Sequence, residues 1–204
     1  DEYLAANIAA FYAVYVADGQ VQWQGRVVAG RPARQTPIFK SRLSYVELNP
    51  SWTVPPTILA EDILPVARKD LGILKKKKLE VLDREGHPVD PKSVDWSRMR
   101  AGNFPYVLRQ PPSKDNSLGR VAFMFPNPYS VYMHDTPARE LFAQASRGFS
   151  SGCIRVERPL DLARALLRDD ARWAGPEFDK ALDSGKSQAI KMKRQVPVLL
   201  LYLT

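Results

Sequence analysis

The side chains best suited to covalent or proton-transfer chemistry in this 204-residue chain are its single cysteine, Cys153, and one of its two histidines, His134. Cys153 stands in Ser150-Ser151-Gly152-Cys153-Ile154-Arg155, 19 residues beyond His134. Small residues ahead of the thiol permit a tight turn that exposes the sulfur and frees backbone N–H groups. Such groups can form an oxyanion hole, the dominant contribution in many acyl transfers. If Cys153 begins a strand, Arg155 shares its face. A guanidinium there would favour the thiolate and could hold a substrate carboxylate. His134 closes a run of strand-forming residues and enters Asp135-Thr136-Pro137, a turn that would hold the imidazole at a loop tip. Imidazole is the usual base for a thiol near neutral pH. Taken singly, a lone cysteine is most often a small buried residue and a strand-end histidine a packing or capping residue. Together they read as a Cys–His pair beside an oxyanion turn.

Composition narrows the alternatives. One cysteine cannot form an intrachain disulfide or a multi-cysteine zinc site. His87 and His134 are too few for a histidine-rich metal site, and no carboxylate cluster stands out, so neither metal nor cofactor is expected. The longest apolar run, Ile8 to Ala17, has ten residues, against the ~20 that span a bilayer. The opening residues also lack the cationic start, apolar stretch and small-residue cleavage site of an export signal. The formal net charge of +8 would suit nucleic acid, anionic lipid or a carboxylate-rich polymer. Its only dense run, Lys75 to Lys78, comes without RNA-binding aromatics or zinc-finger spacing, so it reads as a solvated face and no nucleic-acid partner is expected. Ser184-Gly185-Lys186-Ser187 resembles the end of a phosphate-binding loop, but Lys180 stands where the first glycine is required and no apolar strand leads in; it reads as a turn.

The elements that must position the pair read as mainly β with peripheral helices. Ala10 to Val16 and Val21 to Val28 flank Asp18-Gly19, a strong hairpin signal, with Val21, Trp23 and Val27 alternating against Gln22, Gln24 and Arg26. Further strands are expected at Ser44–Leu48, Arg120–Phe125, Ser130–Met133 and Val196–Leu203. Helices are expected at Ala60–Asp70, at Glu157–Arg168 with Pro159 in its first turn, and at Pro176–Ser184. Nine of the 17 prolines fall between Pro50 and Pro112, which marks residues 50–112 as an insertion within one 1–204 domain. Long ordered excursions of this kind are often lids or binding loops.

His134-Asp135-Thr136-Pro137 and Ser150-Ser151-Gly152-Cys153-Ile154-Arg155 together resemble the signature of the L,D-transpeptidase catalytic domains that act on bacterial peptidoglycan. Thr36-Pro37-Ile38-Phe39, Asn49-Pro50-Ser51-Trp52-Thr53-Val54-Pro55, Leu108-Arg109-Gln110-Pro111-Pro112 and Asp115-Asn116-Ser117-Leu118-Gly119-Arg120 are similar to the large Gram-negative branch with an inserted capping subdomain. The resemblance covers most of residues 10 to 204. It implies a β-sandwich catalytic domain, a periplasmic protein and a residue 50–112 lid. In an oxidising compartment an unpaired cysteine carries exposure risk without disulfide benefit, which a nucleophilic role would explain.

The resemblance further implies a two-step reaction. Cys153 would attack the L-centre carbonyl of diaminopimelate in a donor tetrapeptide stem, releasing D-alanine. An acceptor stem's side-chain amine would then resolve the thioester into a 3→3 crosslink. His134 would take the thiol proton, its other ring nitrogen held by a backbone carbonyl at Asp135 or its neighbour. The Gly152 and Cys153 amides would bind the oxyanion, Ser151 and Arg155 would line the site, and Tyr132 is a candidate further donor. Carbapenem-type inhibitors would acylate the thiol, and a monomer is expected. Two departures stand out: Ser151 replaces the second histidine of many members, and Pro112-Ser113-Lys114 lacks an expected glycine. Water or a lipoprotein lysine as acceptor would give a carboxypeptidase or an anchoring enzyme. A sortase-like reading lacks its TLxTC pattern, and a peptidoglycan-binding module with an inert cysteine is the non-enzymatic reading.

Overall fold

Strand β1 (Tyr3–Asn7) leads into β2 (Tyr12–Ala17) and β3 (Gln20–Gly30) in the computed structural model, which describes residues 2–203. Asp18 and Gly19 take φ of 55° and 70°, the two-residue reversal whose twist matches the flanking strands. Trp23 and Val27 are buried as the alternation predicts, but Val21 is exposed. It pairs with Val16 at the turn end of the hairpin, where the register shift between Tyr15 and Val16 interrupts the alternation.

The remaining strands are β4 (Phe39–Arg42), β5 (Tyr45–Leu48), β6 (Trp52–Thr53), β7 (Glu80–Leu82), β8 (Val107–Gln110), β9 (Val121–Met124), β10 (Met133–His134), β11 (Gly148–Ser150), β12 (Ile154–Val156), β13 (Gln188–Lys191) and β14 (Pro197–Leu201). Eleven strands join in the order β13-β5-β9-β10-β12-β3-β2-β1-β14-β4, with β11 on β3. The structure is thus mostly β with few helices, as expected. The strand expected at Ser130–Met133 is shorter and later: Ser130 has φ 55°, which breaks extension, and only Met133–His134 pair. Helix Pro159–Leu166 starts on its proline and buries Leu162, Ala163 and Leu166 against the sheet, and Glu177–Asp183 buries Phe178 and Leu182.

The chain divides into two compact units, residues 1–50 with 113–204, and Ser51–Pro112. The second has its own sheet, β6-β8-β7, and its own core of Ile63, Leu64, Leu74, Val81, Trp96 and Leu108. The helix expected at Ala60–Asp70 instead runs as Pro56–Ile58, Leu59–Ile63 and Leu64–Ala67. Leu64 N–H reaches back five residues to Leu59 O, and Pro65 beside it has no N–H to give, so the middle turn widens. Lys75 to Lys78 are all exposed at the end of helix Gly72–Lys76, where cations also oppose the helix dipole.

Candidate active site

The parallel pair β10–β12 sets the site. Met133 registers with Ile154 and His134 with Arg155, and Ile154 N–H donates to Tyr132 O at 3.0 Å. Met133 and Ile154 are wholly buried in the core. Alternation therefore gives Tyr132, His134, Cys153 and Arg155 to the opposite face. One strand across and two residues along separates the Cys153 and His134 backbones by about 8 Å, a distance two side chains can close. The Tyr132 and His134 rings lie tilted with centroids 5.9 Å apart.

His134 is buried, and its Nδ1–H donates to the Asp135 carbonyl at 2.5 Å. A carbonyl can only accept, so the neutral ring carries its proton on Nδ1 and leaves Nε2 as the basic nitrogen. Burial lowers the imidazole pKa from its ordinary 6.5 to about 4; the Asp135 hydrogen bond works against this and the Arg155 charge adds to it. Asp135 serves through two different parts. Its carbonyl orients the histidine, while its buried carboxylate accepts from Arg120 N–H (2.8 Å), Thr136 N–H (2.7 Å) and the Arg139 guanidinium (3.1 Å). Gly119, at φ +62°, lets this carboxylate pass: a Cβ there would lie 2.3 Å from it.

The cysteine turn is held from within and from the loop after β3. Gly152 has φ +119°, a conformation essentially reserved for glycine. Ser150 Oγ donates to Cys153 O at 2.5 Å and accepts from Gly152 N–H at 3.1 Å. Thr36 Oγ1 donates to Gly152 O at 2.8 Å and accepts from Gly30 N–H at 2.9 Å. Arg31 N–H donates to Ser150 O at 3.0 Å, and the Arg34 guanidinium donates to Ser151 Oγ at 2.9 Å. Of the two amides expected to bind an oxyanion, Gly152 N–H is thus already engaged by Ser150, whereas Cys153 N–H has no partner among the described residues.

The thiol itself departs from expectation. Cys153 Sγ–H points to Ser130 O at 3.7 Å, and burial raises its pKa from 9.0 to about 11. The Tyr132 backbone hydrogen bond and the Arg155 charge both lower it, yet desolvation outweighs them. Arg155 is itself half-buried, which lowers its own pKa against the raising influence of Cys153 and Glu140. Thiol and imidazole therefore rest neutral near pH 7. No three His, Cys, Asp or Glu side chains cluster to hold a metal ion among the described residues.

Several supporting residues escaped the sequence reading as individuals. Thr36, Asn49 and Arg120 sat inside quoted motifs without a role. Asn127 ties the loop before Cys153's partner strand, donating to Phe125 O and Val131 O and accepting from Tyr129 and Val131 N–H. Its only sequence signal is the Pro126-Asn127-Pro128 turn. Ser150 belongs to the cysteine motif, but its bonds to Cys153 O and Gly152 N–H are not encoded by that spacing, and Arg34 has no sequence signal.

A mostly β domain thus carries His134 on β10, and Cys153 just ahead of β12, toward the same side of that parallel pair. The chain belongs to the YkuD family of L,D-transpeptidase catalytic domains, whose profile matches residues 1–182. A Haemophilus influenzae protein assigned as an L,D-transpeptidase is 37% identical over 198 residues, which are 97% of this chain and 40% of that protein. The chain thus spans about two fifths of that relative's length. Among solved structures, the E. faecium L,D-transpeptidase catalytic domain acylated by ertapenem has a TM-score of 0.48 at 13% identity, over 98% of this chain and 97% of that one. The Mycobacterium smegmatis L,D-transpeptidase has a TM-score of 0.47 at 14% identity, over 98% and 58%.

Proposed function

We propose that this chain is a thiol L,D-transpeptidase that forms 3→3 peptidoglycan crosslinks in the periplasm. The observation that carries the reading is the His134 ring, pinned through Nδ1 to Asp135 O so that Nε2 is the free base on the face Cys153 shares. With both groups neutral at rest, the thiol proton passes to His134 Nε2 as sulfur attacks the diaminopimelate L-centre carbonyl of a donor tetrapeptide. The developing oxyanion is met by Cys153 N–H, and by Gly152 N–H once it turns from Ser150. Collapse breaks the C–N bond, His134 returns the proton to the departing D-alanine amine, and a thioester remains. An acceptor stem amine then attacks, His134 takes the amine proton, and the thiol is restored when the C–S bond breaks.

Burial is consistent with a nucleophile activated during attack rather than stored as a thiolate, because desolvation penalises either ion alone. Residues 51–112 are proposed as the capping lid of this site, supported by their independent core and their place between β5 and β9, the strand beside His134's. Carbapenem-type inhibitors would acylate the same sulfur. The reading is tested by incubating the protein with disaccharide-tetrapeptide. A crosslinked dimer and free D-alanine are expected, both lost in Cys153→Ala and His134→Ala. Free tripeptide without dimer would instead indicate hydrolysis, and transfer to a lipoprotein lysine would indicate anchoring.

A further inference from the structure

We infer that the β4 edge of the eleven-stranded sheet is a docking site for an extended segment of another protein that carries carboxylates at alternate positions. Strand β4 ends the sheet order and pairs on one side only, with β14. The register sets Ser41 against Val198 and Arg42 against Pro197, and Leu43 N–H donates to Val196 O at 2.8 Å. In an antiparallel ladder, directly opposed residues alternate between bonded and unbonded pairs. Phe39, Ser41 and Leu43 are therefore the bonded residues, and Pro197, which has no N–H to give, falls on an unbonded pair. The N–H and C=O groups of Lys40 and Arg42 consequently point away from β14. None of these four groups has a hydrogen-bond partner among the described residues.

Sheet edges are commonly closed to pairing by a bulge, a proline or a covering segment. β4 keeps an unbroken register and contains no proline. An open cleft of about 370 Å³ lies against it, lined by Lys40, Ser41, Arg42, Ser44, Pro126 and Gln195. Three consecutive residues of one strand point to both of its faces, so a cleft that touches all three lies at the edge itself. The Lys40 and Arg42 side chains share one face, both are exposed, and neither has a carboxylate partner among the described residues. No acidic residue lines the cleft. An incoming antiparallel strand would bond to both free backbone pairs, and its residues opposite Lys40 and Arg42 would project on the same face as those cations. Carboxylates at those two positions make favourable cross-strand pairs. A second copy of β4 would instead set like charges against each other, so this edge does not pair with itself.

The test measures binding of fluorescein-labelled, end-capped hexapeptides to the intact chain by anisotropy. The sequence TEVEVT places glutamates at alternate positions; TVEEVT has the same composition with the glutamates adjacent, and TKVKVT reverses the charge. TEVEVT should bind about tenfold more tightly than TKVKVT and about threefold more tightly than TVEEVT, as two cross-strand ion pairs would require. N-methylation of its two glutamate amides, which face β4, should weaken binding about tenfold, while N-methylation of the valine amides, which face away, should matter far less. Bound TEVEVT should slow hydrogen exchange at the Lys40 and Arg42 amides and leave Ser41, already bonded to β14, unchanged. The double variant Lys40→Glu/Arg42→Glu should prefer TKVKVT. If spacing and methylation make no difference among acidic peptides, only bulk charge is at work and the inference is overturned. Failure of TEVEVT to bind overturns it too. So does displacement of TEVEVT by disaccharide-tetrapeptide, which would give the cleft to the peptidoglycan stem.

Discussion

At the scale of single residues, the site is governed by burial more than by charge. Arg155 favours the Cys153 thiolate, as its place on the strand implies, but desolvation outweighs it and raises the thiol pKa to about 11. Iodoacetamide alkylation of Cys153 should therefore be slow at pH 7 and rise roughly tenfold per pH unit until it levels near pH 11; a plateau by pH 8 would contradict this. The histidine makes a complementary prediction for stability. Its pKa falls from 6.5 when unfolded to about 4 when folded, so the unfolded chain binds more protons across that window. Stability should decline as pH drops from 6.5 to 4, by about 3 kcal/mol attributable to this group. In urea titrations across that range, His134→Gln should lack this share of the decline. The cysteine, histidine and arginine were legible in the sequence because their types are rare and their spacing distinctive. The balance between Arg155 and desolvation was not, since burial depends on strands far away in the chain.

At the scale of elements, the histidine is placed by a relay of hydrogen bonds. Asn49 Nδ2 donates to Ala181, Leu182 and Lys186 carbonyls at the end of helix Glu177–Asp183, and the Arg120 side chain joins both Asn49 Oδ1 and Leu182 O. Arg120 N–H then fixes Asp135, whose carbonyl fixes His134. Replacing Asp135 by Ala would leave the Arg120 and Thr136 N–H groups unpaired inside the protein. It should cost about 3 kcal/mol of stability by urea unfolding, and it should slow acylation because the turn loosens. Thr36→Val keeps the volume but loses both bonds of Oγ1; it should cost about 2 kcal/mol and reduce acylation more than alkylation by a small reagent. These residues lay within quoted motifs, yet their roles are long-range pairings that no local spacing encodes. The two-residue strand β10 was misjudged for the same reason: it exists because β9 and β12 flank it, not because of its own propensity.

At the scale of the whole molecule, the proline-rich middle stood out by composition, while its independent core became visible only once β6, β7 and β8 were paired. The flanking chain is already closed across the insertion, since Asn49 N–H donates to Arg120 O at 2.8 Å. Replacing residues 51–112 by a short glycine-rich linker should therefore leave the eleven-stranded sheet folded by circular dichroism. If the insertion is the capping lid, crosslinking should fall at least tenfold while iodoacetamide still reaches Cys153; unchanged crosslinking would remove the lid role. The net charge of +8 predicts that adsorption to anionic sacculi weakens with salt, as screened surface charge does. Underlying all of this is the claim that Cys153 carries the acyl group. Whole-protein mass spectrometry after incubation with a carbapenem tests it most directly: the intact chain should gain the mass of one inhibitor, and Cys153→Ala should gain none. An unmodified wild-type chain, or an adduct that persists in Cys153→Ala, would contradict it.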